Sequence, residues 1–312
     1  MEKTTIKMAL MLIVSFLLKL VISIPSAYPN DYLHVKDSGF TLLPVGARAK
    51  GMAEAFVAVA DDYEGGCFNP AGLVQIERGQ IGTMYSDLYG LGLLRHSFLC
   101  YAEPTTDKGT GQISWNHLAA DFEPGKWNYD LFCYSYGQFF KKSSSSYFNA
   151  WGAAVKYLSQ TTDWSDATGY SLDLGFLTRR GKFSGGISLQ NVFSQISWKT
   201  GKRESLSPNV RIGAAYRFTP RLLIALDVNA SLKDIPKEVC LGSEWYLSDC
   251  LALRLGVSGV FQKSFDLNLS TGLGFYLPLQ GILKIRGARF DYAFSYHEAL
   301  DDTHQFSLVL DL

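Results

Sequence analysis

The sequence predicts an all-β transmembrane barrel of about fourteen antiparallel strands, and three observations lead to this fold class. After Gly79, apolar and polar residues alternate with a period of two residues, which is typical of strands whose two faces meet different surroundings. Most of the alternating segments have about 9–11 residues, the length that a tilted strand needs to cross a bilayer. From the fourth segment onward short and long connections alternate, as do the periplasmic turns and extracellular loops of outer-membrane barrels.

The composition also favours sheets. Of 312 residues, 47% are hydrophobic and 14% aromatic, yet after the first 27 residues the chain lacks the run of about 20 apolar residues that a membrane-spanning helix needs. The formal net charge of zero gives no indication of a nucleic-acid partner. A secreted β-sandwich or solenoid would also show alternation, but strands of soluble proteins have only about 5–6 residues.

Residues 1–27 have the features of a signal peptide. Lys3 and Lys7 form a short basic region, an apolar run follows from Met8 to Leu18, and small residues lead up to Ala27. A signal anchor that stays in the inner membrane is the alternative. We expect export, with the mature chain in the cell outer membrane.

Residues 28–78 form an N-terminal segment of different character. The stretch from Gly46 to Asp62 is rich in alanine and does not alternate, which indicates a short helix or a compact turn. A loop follows through residues 65–72, where Pro70 excludes a central strand and the glycines allow close backbone approach.

Residues 79–312 form the predicted barrel. In the last strand Phe306, Leu308, Leu310 and Leu312 share the face expected to meet lipid, and Gln305, Ser307 and Asp311 share the other. Trp151, Trp198 and Trp245 are expected in interfacial girdles. The predicted strands are 79–88, 93–102, 109–119, 127–140, 146–158, 169–178, 183–191, 208–218, 221–230, 238–247, 250–261, 267–277, 283–295 and 304–312. Long loops are expected at 159–168, 192–207 and 296–303.

Motifs for catalysis or metal binding are missing from the sequence. The five histidines show no HxH or HExxH spacing, and neither a GxSxG elbow nor a phosphate loop is present. Five cysteines at irregular spacing form a poor disulfide framework and indicate buried small apolar residues. We therefore expect no enzyme activity, no cofactor and no metal site.

The N-terminal segment resembles that of the PorV/PorQ proteins, which are relatives of the FadL long-chain fatty acid transporters. The resemblance rests on the stretch from Gly46 to Met52, the small-residue run into Asp61-Asp62, and the Asn69-Pro70-Ala71-Gly72-Leu73 turn. It implies a fourteen-stranded barrel with the N-terminal segment folded inside the lumen as a hatch. One departure is that Ala53 and Glu54 stand where such proteins usually have small glycines.

The resemblance also implies a set of structural or gating residues in this hatch. An arginine there needs a carboxylate partner, since an unpaired buried charge is costly; for Arg48 the candidates on predicted inward faces are Asp173, Asp227 and Glu244. The implied hatch residues are Gly46, Arg48, Gly51, Asn69, Pro70, Ala71 and Gly72.

Two functions follow from the resemblance. A PorV-like protein would serve protein secretion through a type IX system, with secreted cargo proteins as partners. The alternative is passive FadL-like transport of hydrophobic small molecules such as fatty acids. Either protein would contact outer-membrane lipid and the barrel-assembly machinery.

Overall fold

The computed structural model describes residues 45–106, 108–122, 125–232, 237–261, 265–282, 285–297 and 302–312. The predicted signal peptide and the first part of the N-terminal segment, residues 28–44, lie outside the described residues. Within the described ranges, no helix is long and apolar enough to cross a membrane.

The described strands form one antiparallel sheet that closes on itself. β1 pairs with β15, β6 pairs with β7, and β7 pairs with β9. β8 has two residues and pairs only with β7, so fourteen strands form the wall and the predicted number is confirmed. The strands are β1 (Gln80–Asp87), β2 (Leu94–Thr106), β3 (Gly109–Phe122), β4 (Gly125–Ser144), β5 (Tyr147–Thr162), β6 (Asp166–Arg180), β7 (Phe183–Trp198), β8 (Arg203–Glu204), β9 (Asn209–Thr219), β10 (Leu222–Ser231), β11 (Lys237–Tyr246), β12 (Leu251–Phe261), β13 (Phe265–Ile282), β14 (Ile285–His297) and β15 (Thr303–Asp311).

Several strands are longer than their apolar pattern predicts. The predicted loop at 159–168 is mostly strand, because β5 continues to Thr162 and β6 begins at Asp166. The predicted loop at 192–207 is likewise wrong in its first half, where β7 continues to Trp198. Backbone pairing satisfies N–H and C=O groups whatever the side chains are. Polar residues therefore extend the ladders past the segment that alternation reveals.

The two faces of the wall differ as expected. In β15, Phe306 and Leu308 are 43% and 39% exposed, whereas Gln305 and Ser307 on the inward face are buried. Across the described strands the large exposed hydrophobic side chains lie on the outward face, which forms the apolar belt of an outer-membrane β-barrel. Trp151 and Trp245 belong to this outward face.

The lengths of the turns orient the barrel. Ser145 and Ser146 alone connect β4 to β5, and Gly181 and Lys182 alone connect β6 to β7. At the opposite end, residues 199–208 connect β7 to β9. Short turns mark the periplasmic end of such barrels. β1 begins and β15 ends at that same end.

The cysteines differ partly from the prediction. All five are free, and Cys100, Cys133 and Cys240 are buried as expected. Cys250 is exposed, because it lies in the turn between β11 and β12 rather than on an inward strand position.

Candidate functional site: the hatch and the lumen

Residues 45–76, which we call the hatch, lie inside the barrel near the periplasmic ends of the strands. The hatch contains the short helices α1 (Ala47–Gly51) and α2 (Gly65–Phe68) and a 3-10 helix, Pro70–Gln75. It is buried almost throughout, and the large side chains of Phe56 and Tyr63 are fully enclosed. Such short helices are not stable by themselves, so contacts with the wall hold this segment in place.

Glycines on the inward face of the wall let the hatch approach closely. Gly137, Gly152 and Gly175 are cross-strand neighbours on β4, β5 and β6. A Cβ atom on Gly152 would lie 2.3 Å from the Ala71 nitrogen. The same close approach recurs around the wall, where added Cβ atoms would meet hatch atoms at Gly82, Gly186, Gly213, Gly242 and Gly256. The wall therefore provides a groove shaped for the hatch backbone.

Asn69 connects two hatch segments to the wall. Its Nδ2 donates to the Val57 carbonyl oxygen at 3.0 Å and to the Phe176 carbonyl oxygen of β6 at 3.1 Å. Its Oδ1 accepts from the Ala71 nitrogen at 3.2 Å, which caps the 3-10 helix that begins at Pro70. An amide is required here, because the side chain acts as donor and acceptor at once.

The hatch glycines are also confined by their neighbours. Gly46 has φ +90°, and a Cβ there would lie 1.9 Å from Glu64 Cδ. A Cβ on Gly72 would lie 2.2 Å from the Ala60 carbonyl oxygen, and one on Gly51 would lie 3.0 Å from Gly272 Cα of the wall. All seven hatch residues singled out by the resemblance thus lie in close contact with the wall or with the hatch itself.

Ala53 and Glu54, the departures from the expected glycines, have left-handed backbone conformations. Their φ angles are +50° and +67°. This region is sterically unfavourable for residues with a Cβ and costs about 1–2 kcal/mol per residue. Having Ala53 and Glu54 here instead of glycines therefore introduces local backbone strain into the turn that follows α1.

Arg48 is the centre of a buried ion-pair network. Its Nε and Nη2 atoms contact Glu244 Oε1 and Oε2 of β11 at 2.8 and 2.7 Å, a bidentate pair. Its Nη1 atom contacts Asp61 Oδ1 at 2.6 Å and Asp62 Oδ2 at 2.8 Å. Of the three partners considered from sequence, Glu244 is the one that pairs with Arg48.

Two further arginines, both from the wall, extend the network. Arg254 of β12 pairs with Glu244 at 2.8 Å and with Asp291 of β14 at 2.8 Å. Arg289 pairs with Asp291 at 2.7 Å and with Asp62 of the hatch at 2.5 Å. Although burial opposes it, the guanidinium groups of Arg289 and Arg48 hold the pKa of Asp62 below its usual range. The network therefore connects the hatch to β11, β12 and β14.

The other two candidate carboxylates have different partners. Asp173 pairs with Lys156 of β5, so the wall neutralises it without the hatch. Asp227 Oδ2 accepts from the backbone nitrogens of Phe56 and Val57, both at 2.8 Å. Asp227 thus also anchors the hatch, but through backbone groups that a search for charged partners does not reveal.

Glu64 is buried beneath the start of α1. Its carboxylate accepts from the backbone nitrogens of Arg48 at 3.3 Å and Ala49 at 2.8 Å. Burial, together with the nearby Asp62 carboxylate, raises the pKa of Glu64 to about 8. The folded hatch therefore favours the protonated carboxyl group.

This raised pKa predicts a loss of hatch stability in alkali. The carboxyl group of Glu64 has a pKa of about 8 in the folded hatch, compared with about 4.3 in the unfolded chain. Its protonation therefore stabilises the fold fully below the unfolded pKa, and this stabilisation is lost as the pH rises through about 8. Protease protection of the hatch is expected to be weaker at pH 9 than at pH 6. Glu64→Gln should reduce this difference, whereas Glu103→Gln, at an exposed position, should keep it. Equal protection of the wild-type hatch from protease at pH 6 and pH 9 would contradict the raised pKa of Glu64.

On the extracellular side of the hatch, the lumen is lined by an apolar cluster, which we call the lumen cluster. Its buried members are Leu158, Ala167, Ile196 and Leu206, and Tyr129, Leu131 and Trp198 pack against them. Trp198 thus points into the lumen, which corrects its prediction as a girdle residue. Its position on β7 has the inward parity of Ile196, which residue type alone did not reveal.

A small cavity separates the lumen cluster from the hatch. Its volume is about 30 Å³, and Leu131 and Phe98 line it together with Cys67 and Phe68 of the hatch. Lys156 and Arg211 add charged groups to its wall. This volume holds about two water molecules. A larger solute therefore requires side chains or the hatch to move.

Sequence reasoning missed Glu64, Arg254, Arg289 and Asp291 as hatch-anchoring residues. A usable signal was present for Arg254, because it alternates with the apolar residues Leu253 and Leu255 and so was expected on the inward face. A charged residue on the inward face of a barrel strand needs a partner in the lumen. The partner of such a residue depends on the register between neighbouring strands, and the alternation of apolar and polar residues does not define that register.

Solved structures show what this fold is similar to. The deltaS2 mutant of TodX, a monoaromatic hydrocarbon channel, has a TM-score of 0.62 and 11% sequence identity over 87% of this chain and 98% of its own. A FadL homologue from Pseudomonas aeruginosa has a TM-score of 0.59 with 11% identity, covering 86% of this chain and 98% of that chain. The toluene transporter TbuX from Ralstonia pickettii has a TM-score of 0.58 with 11% identity, covering 87% and 98%.

These similarities show the fold of the FadL-type outer-membrane barrels. No protein-family model matches the sequence, and no curated protein matches it either.

Proposed function

We propose that this outer-membrane barrel transports small hydrophobic molecules passively, taking them from the extracellular end of the lumen past the hatch. The observation that carries the proposal is the lumen cluster, in which Leu158 and Ile196 are fully buried on the inward face. The interior of a water-filled porin is polar. An apolar lining favours instead the transfer of apolar solutes out of water, by about 25 cal/mol per Å² of apolar surface.

The size of the cavity adds a condition to this proposal. A cavity of about 150 Å³ lined by apolar side chains binds benzene, whereas the cavity above the hatch has about 30 Å³. Passage of a solute the size of toluene therefore requires the hatch or the side chains around the cavity to shift. The mechanism involves no enzymatic step, since the solute crosses unchanged.

The proposal is tested by uptake of toluene into proteoliposomes that contain the purified protein. Leu158→Gln places an unpaired amide in the lumen cluster and is expected to lower the uptake rate about tenfold, because a buried unsatisfied amide costs about 1–3 kcal/mol. Leu232→Gln is the matched control, because Leu232 is 68% exposed. Wild-type uptake equal to that of protein-free vesicles would refute the proposal.

A second candidate is the PorV-like function, docking of secreted cargo proteins for a type IX system. It is supported by the resemblance of the Gly46–Leu73 segment and by the ion pairs that hold the hatch closed at Arg48. A deletion strain that accumulates cargo in the periplasm while toluene uptake is unchanged would favour docking over transport. The reverse result would favour transport.

A further inference from the structure

Three neighbouring turns at the periplasmic end carry an unbalanced set of basic side chains. They connect β4 to β5, β6 to β7 and β9 to β10, which are adjacent strands of the wall. The stretches 139–147, 178–183 and 216–221 contain no Asp or Glu. We call their basic residues the basic arc: Lys141, Lys142, Arg179, Arg180, Lys182, Arg217 and Arg221.

The contacts of the basic arc hold some of its side chains in place but leave most of its charge uncompensated. Arg180 Nη1 donates to the Phe148 carbonyl oxygen at 2.9 Å, and Lys182 Nζ donates to the Phe218 carbonyl oxygen at 3.0 Å. Both acceptors are neutral. Arg221 pairs with the exposed Asp249 at 3.1 Å, and Arg217 lies 4.0 Å from Asp61. Among the described residues, the other five members form no ion pair.

Part of the basic arc faces the mouth of the lumen, where surrounding lipid does not reach. Lys142 is opposite the inward-facing Phe148, and Phe148 is opposite Arg179. Lys142 Nζ lies 4.2 Å from the centre of the Phe139 ring, and Arg179 Nη1 donates to Gln75 of the hatch at 3.3 Å. Arg217 lies two positions after the buried, inward-facing Ala215 on β9 and therefore shares its face. Phospholipid headgroups can neutralise basic side chains on the outward face of the barrel, but they do not reach Lys142, Arg179 and Arg217 at the mouth of the lumen.

The β4–β5 hairpin also extends beyond its neighbour. β3 begins at Gly109, opposite Gln138, so β4 continues from Phe139 to Ser144 without a β3 partner. At about 3.3 Å per residue, this segment reaches well past the start of β3. Lys141 and Lys142 lie on it and are exposed. Their charges are therefore presented to the periplasm.

We propose that the basic arc is a docking surface for an acidic segment of a periplasmic protein. Carboxylates on such a segment supply the charge that the three turns lack, and the inward trio of Lys142, Arg179 and Arg217 positions the segment under the hatch. Complementary charges of this kind guide association and give it a strong dependence on salt. The surface is independent of what the lumen transports.

The test uses the full-length protein in phosphatidylcholine nanodiscs, with a fluorescein-labelled peptide of ten glutamates as probe. We expect this peptide to bind in low salt, to dissociate as salt is raised, and to bind far more tightly than a peptide of ten glutamines. Combined replacement Lys142→Gln, Arg179→Gln and Arg217→Gln should weaken binding at least tenfold. The matched control at the extracellular end, Arg95→Gln, Lys126→Gln and Lys199→Gln, should bind like the wild type.

Because Arg179 and Arg217 also contact the hatch, Lys142→Gln alone is a second variant, expected to weaken binding two- to fivefold with normal heat-modifiability on gels. Equal binding of both peptides, or equal loss in the inward and control triple variants, would overturn the proposal. So would loss of glutamate-peptide binding by the wild type in nanodiscs with a tenth of phosphatidylglycerol, because the arc would then be a site for lipid headgroups.

Discussion

Arg48→Met is expected to release the hatch while leaving the barrel closed. Arg48 contacts three carboxylates, those of Asp61, Asp62 and Glu244. Its loss leaves Arg254 and Arg289, with Arg217 at 4.0 Å from Asp61, to balance the four carboxylates of the network. Removing one member of a buried ion pair costs about 3–5 kcal/mol. We expect rapid proteolysis within residues 45–76 and a higher conductance in planar bilayers. Heat-modifiability should persist, because the strand ladders do not involve Arg48.

Two further variants test whether the effect of Arg48→Met comes from the loss of the buried ion pairs. Arg95→Met removes an arginine from an exposed pair with Asp121, where the side chains are 49% and 33% exposed. Such pairs contribute only about 0–1 kcal/mol, so the hatch should stay protected. Arg48→Lys keeps the charge but loses the bidentate contact with Glu244 and should lie in between. A protected hatch and unchanged conductance in Arg48→Met would show that the network does not hold the hatch.

Gly152→Val is expected to have a comparable effect from the opposite side of the lumen. The added Cβ would lie 2.3 Å from the Ala71 nitrogen and 2.4 Å from the Pro70 carbonyl carbon. These are backbone atoms, which cannot rotate away as a flexible side chain can. Overpacking of this kind costs about 1–3 kcal/mol or more. The hatch should fail to seat, which is measured by protease sensitivity and by a lower urea concentration at the midpoint of unfolding.

The control for this variant is Gly185→Val, on the outward face of β7. A Cβ there would be 3.5 Å from the nearest atom, in the Phe183 ring, which is an ordinary contact. Valine also suits a strand position that faces lipid. Gly185→Val should therefore keep a protected hatch. If both variants behave alike, the close approach at Gly152 is not what seats the hatch.

Much of the barrel could be predicted because its physical cause is local. In β12, apolar Leu251, Leu253 and Leu255 alternate with Ala252 and Arg254. A strand that separates lipid from lumen needs this alternation along its whole membrane-spanning length. The number of strands followed from counting such segments. The ends of β5, β6 and β7 did not follow, because backbone pairing continues beyond the bilayer, where side-chain polarity is no longer constrained.

Without the family resemblance, the hatch could be predicted only as a segment that differs from the strands. The resemblance singled out Asn69 and Arg48, and the inward faces gave Asp173, Asp227 and Glu244 as candidate partners of Arg48, but the sequence did not show which contacts form. Asn69 reaches the Phe176 carbonyl oxygen across 107 positions of sequence, and Arg48 reaches Glu244 across 196. Asp227, a candidate partner for a charge, instead accepts from two backbone nitrogens.

The sequence by itself determined the closed barrel, the face taken by residues within the alternating segments, and the separate character of the N-terminal segment. These depend on a repeat of two residues and on chain composition, which each segment carries alone. Only the tertiary structure decided which inward charges meet, which glycines admit the hatch, and that Trp198 points into the lumen. Those outcomes depend on register between strands and on the path of the hatch between them, and both arise only when the barrel has closed.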